Sequence, residues 1–203
     1  EIVNARFENL PMDSIKGTVK DVMNNPLADL SIESKLDLGR LNNALKKSIT
    51  GQSFEKILDD YQEVEGSGLL EAKLRGPLEE LEKISVTAIL FTKKASFYDA
   101  YLQSRVSNFN GEIYFNHVPD ENQSLDRSSV PMVEGKNLSG QFGKSEFYNM
   151  KGKILRQGEQ IVQKIEAVYR LNAAELPKII AGIDFSGPEF ALLKQAEFEQ
   201  GDV

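Results

Sequence analysis

Gly143, Lys144 and Ser145 come closest to a chemical motif, because they have the residue order found at the end of a phosphate-binding loop. The full motif needs a second glycine five residues before Gly143, and Leu138 occupies that position. The residues ahead of it are polar, whereas a phosphate-binding loop follows a buried strand. The sequence therefore predicts a flexible turn before a helix at Phe147, and no nucleotide site.

His117 is the one histidine of the chain, and cysteine is absent. Zinc sites and Ser-His-Asp or Cys-His catalysis need histidine or cysteine with specific partners. A carboxylate-bridged di-iron bundle needs Glu-x-x-His motifs on two helices, and the sequence has none. We therefore predict no metal site and no cofactor, and we place His117 at the surface or at a strand edge.

Carboxylates are plentiful, and several have helical spacing. Glu55, Asp59 and Glu63 are four residues apart, which predicts a solvated helix face. A catalytic pair would need one carboxyl group in an apolar pocket that raises its pKa. We assign no catalytic residue and treat enzymatic activity as uncertain, with a hydrolase that uses carboxylates only as an alternative.

Apolar residues between positions 77 and 106 recur in steps of three and four. This spacing is the period of an α-helix and places one apolar stripe along it. A second apolar set lies on other sides of the same helix, which is typical of a central helix packed by several neighbours. The first set is Leu81, Ile84, Ala88, Phe91, Ala95, Tyr98 and Leu102, and the second is Val86, Leu90, Phe97 and Tyr101.

The predicted fold is all-α, an irregular multi-helix bundle around residues 77–106 within a single domain, 1–203. Shorter helices are expected from near Ser31 to Gly51 and from Phe147 onward. Residues 119–145 are rich in Asp, Asn, Ser, Gly and Pro and predict a long polar loop. The β-prone residues within 112–116 indicate a minor β element.

Two of the predicted helices present apolar residues that are able to line a cavity. Phe91 and Tyr98 lie on the stripe of the long helix, and Ile161 and Ile165 lie on the helix that begins at Phe147. Gly158 falls on the same face as the two isoleucines and permits close approach. The four residues are candidate contacts for a small apolar or lipid-like ligand.

The charge balance bears on partners and location. The chain has 203 residues and a net charge of -7, and its Lys and Arg residues are scattered. A nucleic-acid binder needs a basic patch, so we predict no nucleic-acid partner. The sequence has no run of 18 apolar residues, so we predict no membrane span. Absence of cysteine slightly favours an exported or lipid-anchored protein, and Glu1 in place of Met indicates a fragment or a processed product.

The functional prediction combines these exclusions with the predicted fold. We predict a non-enzymatic helical interaction module that binds a protein partner or self-assembles, through its helix faces or its 119–145 loop. Such a module suits the soluble part of an exported bacterial protein or lipoprotein. The alternatives are a helical carrier of a small apolar or lipid-like ligand and the hydrolase described above.

Overall fold

The structure, a computed structural model, describes residues 2–7, 10–47, 58–80, 83–100, 103–118, 131–157 and 160–175. Within these ranges the chain forms one nine-stranded antiparallel β-sheet and one ten-residue α-helix. The strands and the helix are β1 (Ile2–Phe7), β2 (Leu10–Lys20), β3 (Leu27–Asp37), α1 (Leu38–Lys47), β4 (Tyr61–Pro77), β5 (Ser85–Asp99), β6 (Ser104–His117), β7 (Pro131–Phe142), β8 (Ser145–Gln157) and β9 (Gln160–Arg170).

Each strand pairs with its neighbours along the chain, so the order across the sheet is β1 to β9 without a crossover. The pairing of β3 with β4 is unbroken from Leu27 opposite Pro77 to Asp37 opposite Ser67. The sheet is therefore a meander, and the connection between β3 and β4 contains α1. Within the described ranges, β1 and β9 are therefore the two edges of the sheet.

The predicted all-α bundle is wrong, and residues 77–106 show why. This segment contains the end of β4, all of β5 and the start of β6. β5 has apolar residues on both faces, and its register against β6 shifts between Thr92 and Ala95. The shift changes which residues share a face, so a strand pattern of period two takes on steps of three and four.

The other predicted elements have mixed outcomes. The helix expected from Phe147 is replaced by β8 and β9, and residues 131–142 of the predicted polar loop form β7. Residues 119–130 lie outside the described ranges. The predicted β element at 112–116 is part of β6. Of the helix expected between Ser31 and Gly51, residues 38–47 are helical, residues 31–37 belong to β3 and residues 48–51 lie outside the described ranges. The single-domain assignment stays a prediction.

α1 begins where a capping residue follows a strand. The Asp37 carboxylate accepts a hydrogen bond from the backbone amide of Arg40 at 2.8 Å, which satisfies a free amide of the first helical turn. Leu38 is buried against the sheet, and Leu41 packs beside it. A methyl group at Gly68 of β4 would lie 3.1 Å from the Leu38 side chain, so this glycine lets the helix lie close to the sheet.

The hydrophobic core has two parts on the face of the sheet that α1 covers. The smaller part surrounds Met12 and Leu36 near β2 and β3. The larger part spans β4 to β8 and receives Leu38 and Leu41 of α1. Its buried members are Leu38, Ala95, Val106, Phe109, Leu138, Phe142 and Phe147.

One non-glycine residue in each of β4 to β8 has a left-handed backbone. These residues are Glu63, Lys94, Asn108, Asn137 and Asn149, with φ angles between 49 and 54 degrees. Each of them lies at a β-bulge, where the register between neighbouring strands shifts by one residue. A bulge bends its strand and sharpens the local twist, so five bulges in adjacent strands bend the sheet along one line.

Each bulge directs the next residue of its strand into the core. Val64, Ala95, Phe109, Leu138 and Met150 follow the five left-handed residues in order. All of them belong to the larger core or pack against it. The line of bulges and the larger core are therefore one feature of the molecule.

The bulge at Asn137 allows a direct test of this feature. We expect Asn137→Val to lower the free energy of unfolding by about 1–2 kcal/mol, because a β-branched residue is strained in the left-handed conformation. Asn137→Gly should stay within about 0.5 kcal/mol of the natural chain. The measurement is urea denaturation followed by circular dichroism.

Asn116 provides the matched control, because it lies in a regularly paired part of β6 without a left-handed backbone. Asn116→Val should be neutral or slightly stabilising, since valine favours strands. Equal stability of the two valine variants would show that the bulge does not require a residue that tolerates positive φ.

Candidate binding surface

The outer face of the sheet, opposite the core, carries a polar network that follows the line of bulges. On β6, the Arg105 guanidinium contacts Glu63 and Glu65 of β4 at 2.8 and 2.7 Å. It also donates a hydrogen bond to the Ser96 hydroxyl of β5 at 3.2 Å. All of these groups are exposed, so we expect the network to fix side-chain positions more than it adds stability.

A second part of the network links β6 to β9. The Asn108 amide donates to Gln141 at 2.8 Å, and the Gln141 amide donates to Glu146 at 3.1 Å. Glu146 is paired with Arg170 of β9 at 3.5 Å. The exposed ends of these four strands are thereby joined by side-chain contacts as well as by the backbone.

The third part of the network is an ionic cluster on β6 to β8. Glu134 lies between Lys136 and Lys153, at 3.3 and 3.2 Å. Desolvation by itself raises the pKa of Glu134, but the hydrogen bonds from the two lysines outweigh it and lower the pKa. Tyr114 donates a hydrogen bond to Glu112, which raises the pKa of the Tyr114 hydroxyl.

The cluster does not have the properties of an acid catalyst. A general acid at neutral pH needs a carboxyl group whose pKa is raised. The described carboxylates whose pKa departs clearly from its ordinary value are Glu134 and Glu175, and both pKa values are lowered. These two groups are therefore ionised at neutral pH and serve as hydrogen-bond acceptors.

Gly143, Lys144 and Ser145 lie where β7 turns into β8, so the predicted turn is observed and the predicted helix after it is not. The buried Ser145 hydroxyl donates a hydrogen bond to Glu175 and accepts one from the backbone amide of Asn172 at 2.9 Å. Glu175 also accepts from the Lys144 amide at 2.7 Å. The three residues thus anchor the segment that follows β9.

The predicted ligand-contacting residues fall on two separate strands. Phe91 and Tyr98 lie on β5, whereas Ile161 and Ile165 lie on β9, with three strands between them. The helix pair that was expected to hold them together is absent from the described residues. A ligand-binding role for any of the four stays a prediction.

The remaining candidates from the sequence are His117 and the carboxylates Glu55, Asp59 and Glu63. His117 is exposed at the end of β6, and its backbone carbonyl accepts a hydrogen bond from Ser85 at 3.4 Å. The predicted helix face is wrong at Glu63, which lies on β4 and is paired with Arg105. Asp59 is paired with Lys46 of α1 at 3.0 Å. Glu55 lies outside the described ranges.

The edge strand β9 is the feature that the sequence interpretation missed. It has eleven residues, and no described strand lies on its outer side. Unlike β4 to β8, it contains no residue with positive φ. Ile165 is 57% exposed, and Val168 and Tyr169 are nearly half exposed. An unbulged strand with exposed apolar residues at a sheet edge is a ready site for pairing with another strand.

An open groove of about 480 Å³ borders β9 on the outer face. Its lining includes two of the bulge residues, Asn137 and Asn149, together with Lys151, Glu166 and Val168. These side chains are exposed and mostly polar, so the groove is a wet surface next to the edge strand. It differs from the enclosed apolar cavity that an apolar ligand needs.

Two absences among the described residues concern metal ions and membranes. Within these ranges, no group of three or more histidine and carboxylate side chains is arranged to hold a metal ion. None of the helices there has the length and apolar character to cross a membrane. No family model, no curated protein and no solved structure matches this chain. The described residues form an antiparallel meander in which β9 is an edge strand.

The contacts of Glu175 predict a pH dependence of stability. Partial burial alone raises the pKa of Glu175, but the hydrogen bonds from Ser145 and from the Lys144 and Ser145 amides outweigh it and lower the pKa below 4.5. A lowered pKa in the folded state means that this contribution to stability is present above about pH 4.5. It is lost as the pH falls through the folded-state pKa.

We therefore expect Glu175→Gln to lower the free energy of unfolding by about 1–2 kcal/mol at pH 7, since hydrogen bonds to a charged acceptor are lost. At pH 3 the difference from the natural chain should be smaller. Urea denaturation at both pH values gives the comparison. A difference that is equal at both values would contradict the assigned role of the Glu175 carboxylate.

Proposed function

We propose that this protein binds another protein chain by strand addition at β9. The observation that carries the proposal is the combination of length, exposure and regularity in this edge strand. Its eleven residues offer one side of their backbone for pairing, and Ile165, Val168 and Tyr169 offer apolar contacts. Binding of this kind takes its affinity from main-chain hydrogen bonds and its specificity from alternate side chains.

The other edge of the sheet supports this choice by contrast. β1 has six residues, little more than half the length of β9. Natural sheets protect their edges with short strands, bulges, prolines or inward-pointing charges. β9 has no proline and no bulge, and its charged residues alternate in sign from Lys164 to Glu166.

The helical functions predicted from the sequence are wrong. A helical interaction module and a helical carrier both need packed helices, and the described residues form a β-sheet with one helix of ten residues. A protein partner is still proposed, but the surface that contacts it is now the edge of a sheet. The backbone geometry of β9 now supports a protein partner, in place of the helix face predicted from the sequence.

The proposal requires that the edge is available in the monomer. In hydrogen–deuterium exchange at a dilution where the chain is monomeric, we expect alternate amides of β9 to exchange fast. These are the amides directed away from β8, while those that pair with β8 should be protected. Slow exchange of all the β9 amides in the monomer would show that the edge is covered and would refute strand addition.

The variant Ile165→Lys provides a second test of an open edge. Because the Ile165 side chain is largely exposed, we expect the free energy of unfolding of the monomer to change by less than about 0.5 kcal/mol. Met23→Lys is the matched control, since Met23 is 93% exposed in the turn between β2 and β3. A much larger loss of stability for Ile165→Lys than for Met23→Lys would mean that the chain itself covers β9.

A further inference from the structure

We infer that the partner of β9 is a second copy of this chain, paired antiparallel about a two-fold axis at Ile165. The inference rests on the proposed function and names the occupant of the edge. In this arrangement the two β9 strands lie side by side and join two nine-stranded sheets into one. The contact is isologous, which means that both copies use the same residues.

The sequence of β9 is complementary to itself when it is reversed about Ile165. A residue that stands a given number of positions before Ile165 then faces the residue that stands the same number after it. Opposite charges meet closest to the axis, and two of the outer pairs join Val162 with Val168 and Ile161 with Tyr169. The remaining pairs are Gln163 with Ala167 and Gln160 with Arg170, and the central charged pair is Lys164 with Glu166.

Charge selects this register over its neighbours. A two-fold axis perpendicular to the sheet makes the central residue face its own copy. Moving the axis by one residue, to Lys164 or to Glu166, places two like charges directly opposite each other. Like charges in that position destabilise a strand pair, whereas opposite charges stabilise it. The register at Ile165 is thus favoured over both adjacent registers.

The charges of β9 are also unbalanced within one copy. Inside the sheet, Lys164 lies opposite Lys153 of β8, and Lys153 is already paired with Glu134. Among the described residues, Lys164 forms no ion pair, and neither does Glu166, which lies opposite Lys151. A second copy would place the partner's Glu166 beside Lys164 and the partner's Lys164 beside Glu166.

The space around Ile165 is compatible with this pairing. Ile165 lies opposite Gly152 of β8, where an added methyl group would have no atom within 4 Å. The core face of the sheet is therefore open beside Ile165, and the two isoleucine side chains can meet there. Burial of two side chains that are more than half exposed in the monomer adds apolar contact to the main-chain pairing.

The test is a charge exchange between the two positions. Sedimentation equilibrium over a range of concentrations should show a monomer–dimer equilibrium for the natural chain. Lys164→Glu and Glu166→Lys should each weaken the dimer by about tenfold or more, because each sets like charges opposite in two symmetric places. Lys93→Glu, at an exposed residue of β5, is the control for the same change of net charge and should leave the dimer unchanged.

The decisive experiment is sedimentation equilibrium of a mixture of the two single variants. A chain with Lys164→Glu has glutamate at both positions, and a chain with Glu166→Lys has lysine at both positions. Only the mixed dimer then pairs opposite charges, so the mixture should recover the dimer that each variant lacks. The double variant with both exchanges should also recover it, because the charges are exchanged within one chain.

Two results would overturn the inference. A natural chain that stays monomeric, while the amides at its β9 edge exchange fast, would exclude a second copy and leave strand addition to a different protein. A dimer that neither single variant weakens, or that the mixture does not restore, would exclude the register at Ile165. Slow exchange in the monomer is the separate result that would refute strand addition itself.

Discussion

The structure depends on one backbone constraint, the line of left-handed residues that crosses β4 to β8. A left-handed residue in a strand inserts one extra position, so the residues on either side of it point to opposite faces, as the exposed Lys93 and the buried Ala95 do around Lys94. In this chain the residue that follows the insertion is apolar in all five strands, from Val64 to Met150. The bulges thus concentrate apolar side chains on the core face of the sheet. Their position sets where the larger core forms.

The same constraint explains the glycines that surround the core. Gly111 and Gly135 flank Leu138, and a methyl group at either one would lie 2.6 Å from the leucine side chain. A large residue that a bulge directs inward needs such gaps in the neighbouring strand, as at Gly111 of β6, and in its own strand, as at Gly135 of β7, because the interior is close-packed. On the outer face the bulge residues are polar, and Glu63 and Asn108 take part in the side-chain network that joins the strands. β9 is the first strand beyond the series without a bulge, and it keeps a straight edge.

Part of the fold was accessible from the sequence, and the reason differs between elements. The helix from Leu38 to Lys47 has leucines in steps of three and four and an aspartate at its start, and both signals act within a few residues. β5 was misread because its bulge disrupts the alternation that identifies a strand. Its valine, isoleucine and threonine content, from Val86 to Thr92, was the signal for a strand. Asn-Phe, Asn-Leu and Asn-Met at the bulges of β6, β7 and β8 were a second signal, since asparagine tolerates positive φ.

The edge strand proposed to bind a partner was hidden for a related reason. The period-two arrangement of β9 has meaning only once its position at the edge of the sheet is known, and that position depends on the order of all nine strands. The spacing of Ile161, Ile165 and Val168 fitted a helix equally well. Without the strand order, Ile165 was predicted to line a cavity. In the structure more than half of its surface is exposed at the edge of the sheet.

A free, apolar edge strand carries a risk of open-ended aggregation, and symmetric pairing offers a way to limit it. When two copies pair through β9 about a two-fold axis, each copy covers the β9 edge of the other. The only other edge among the described strands is β1, which is short. Lys164 and Glu166 then have two effects, because they attract in the symmetric register and repel in the registers on either side. The net charge of -7 on each chain opposes less specific contacts at longer range. A strand that would be a hazard in an open assembly is in this way compatible with a closed dimer.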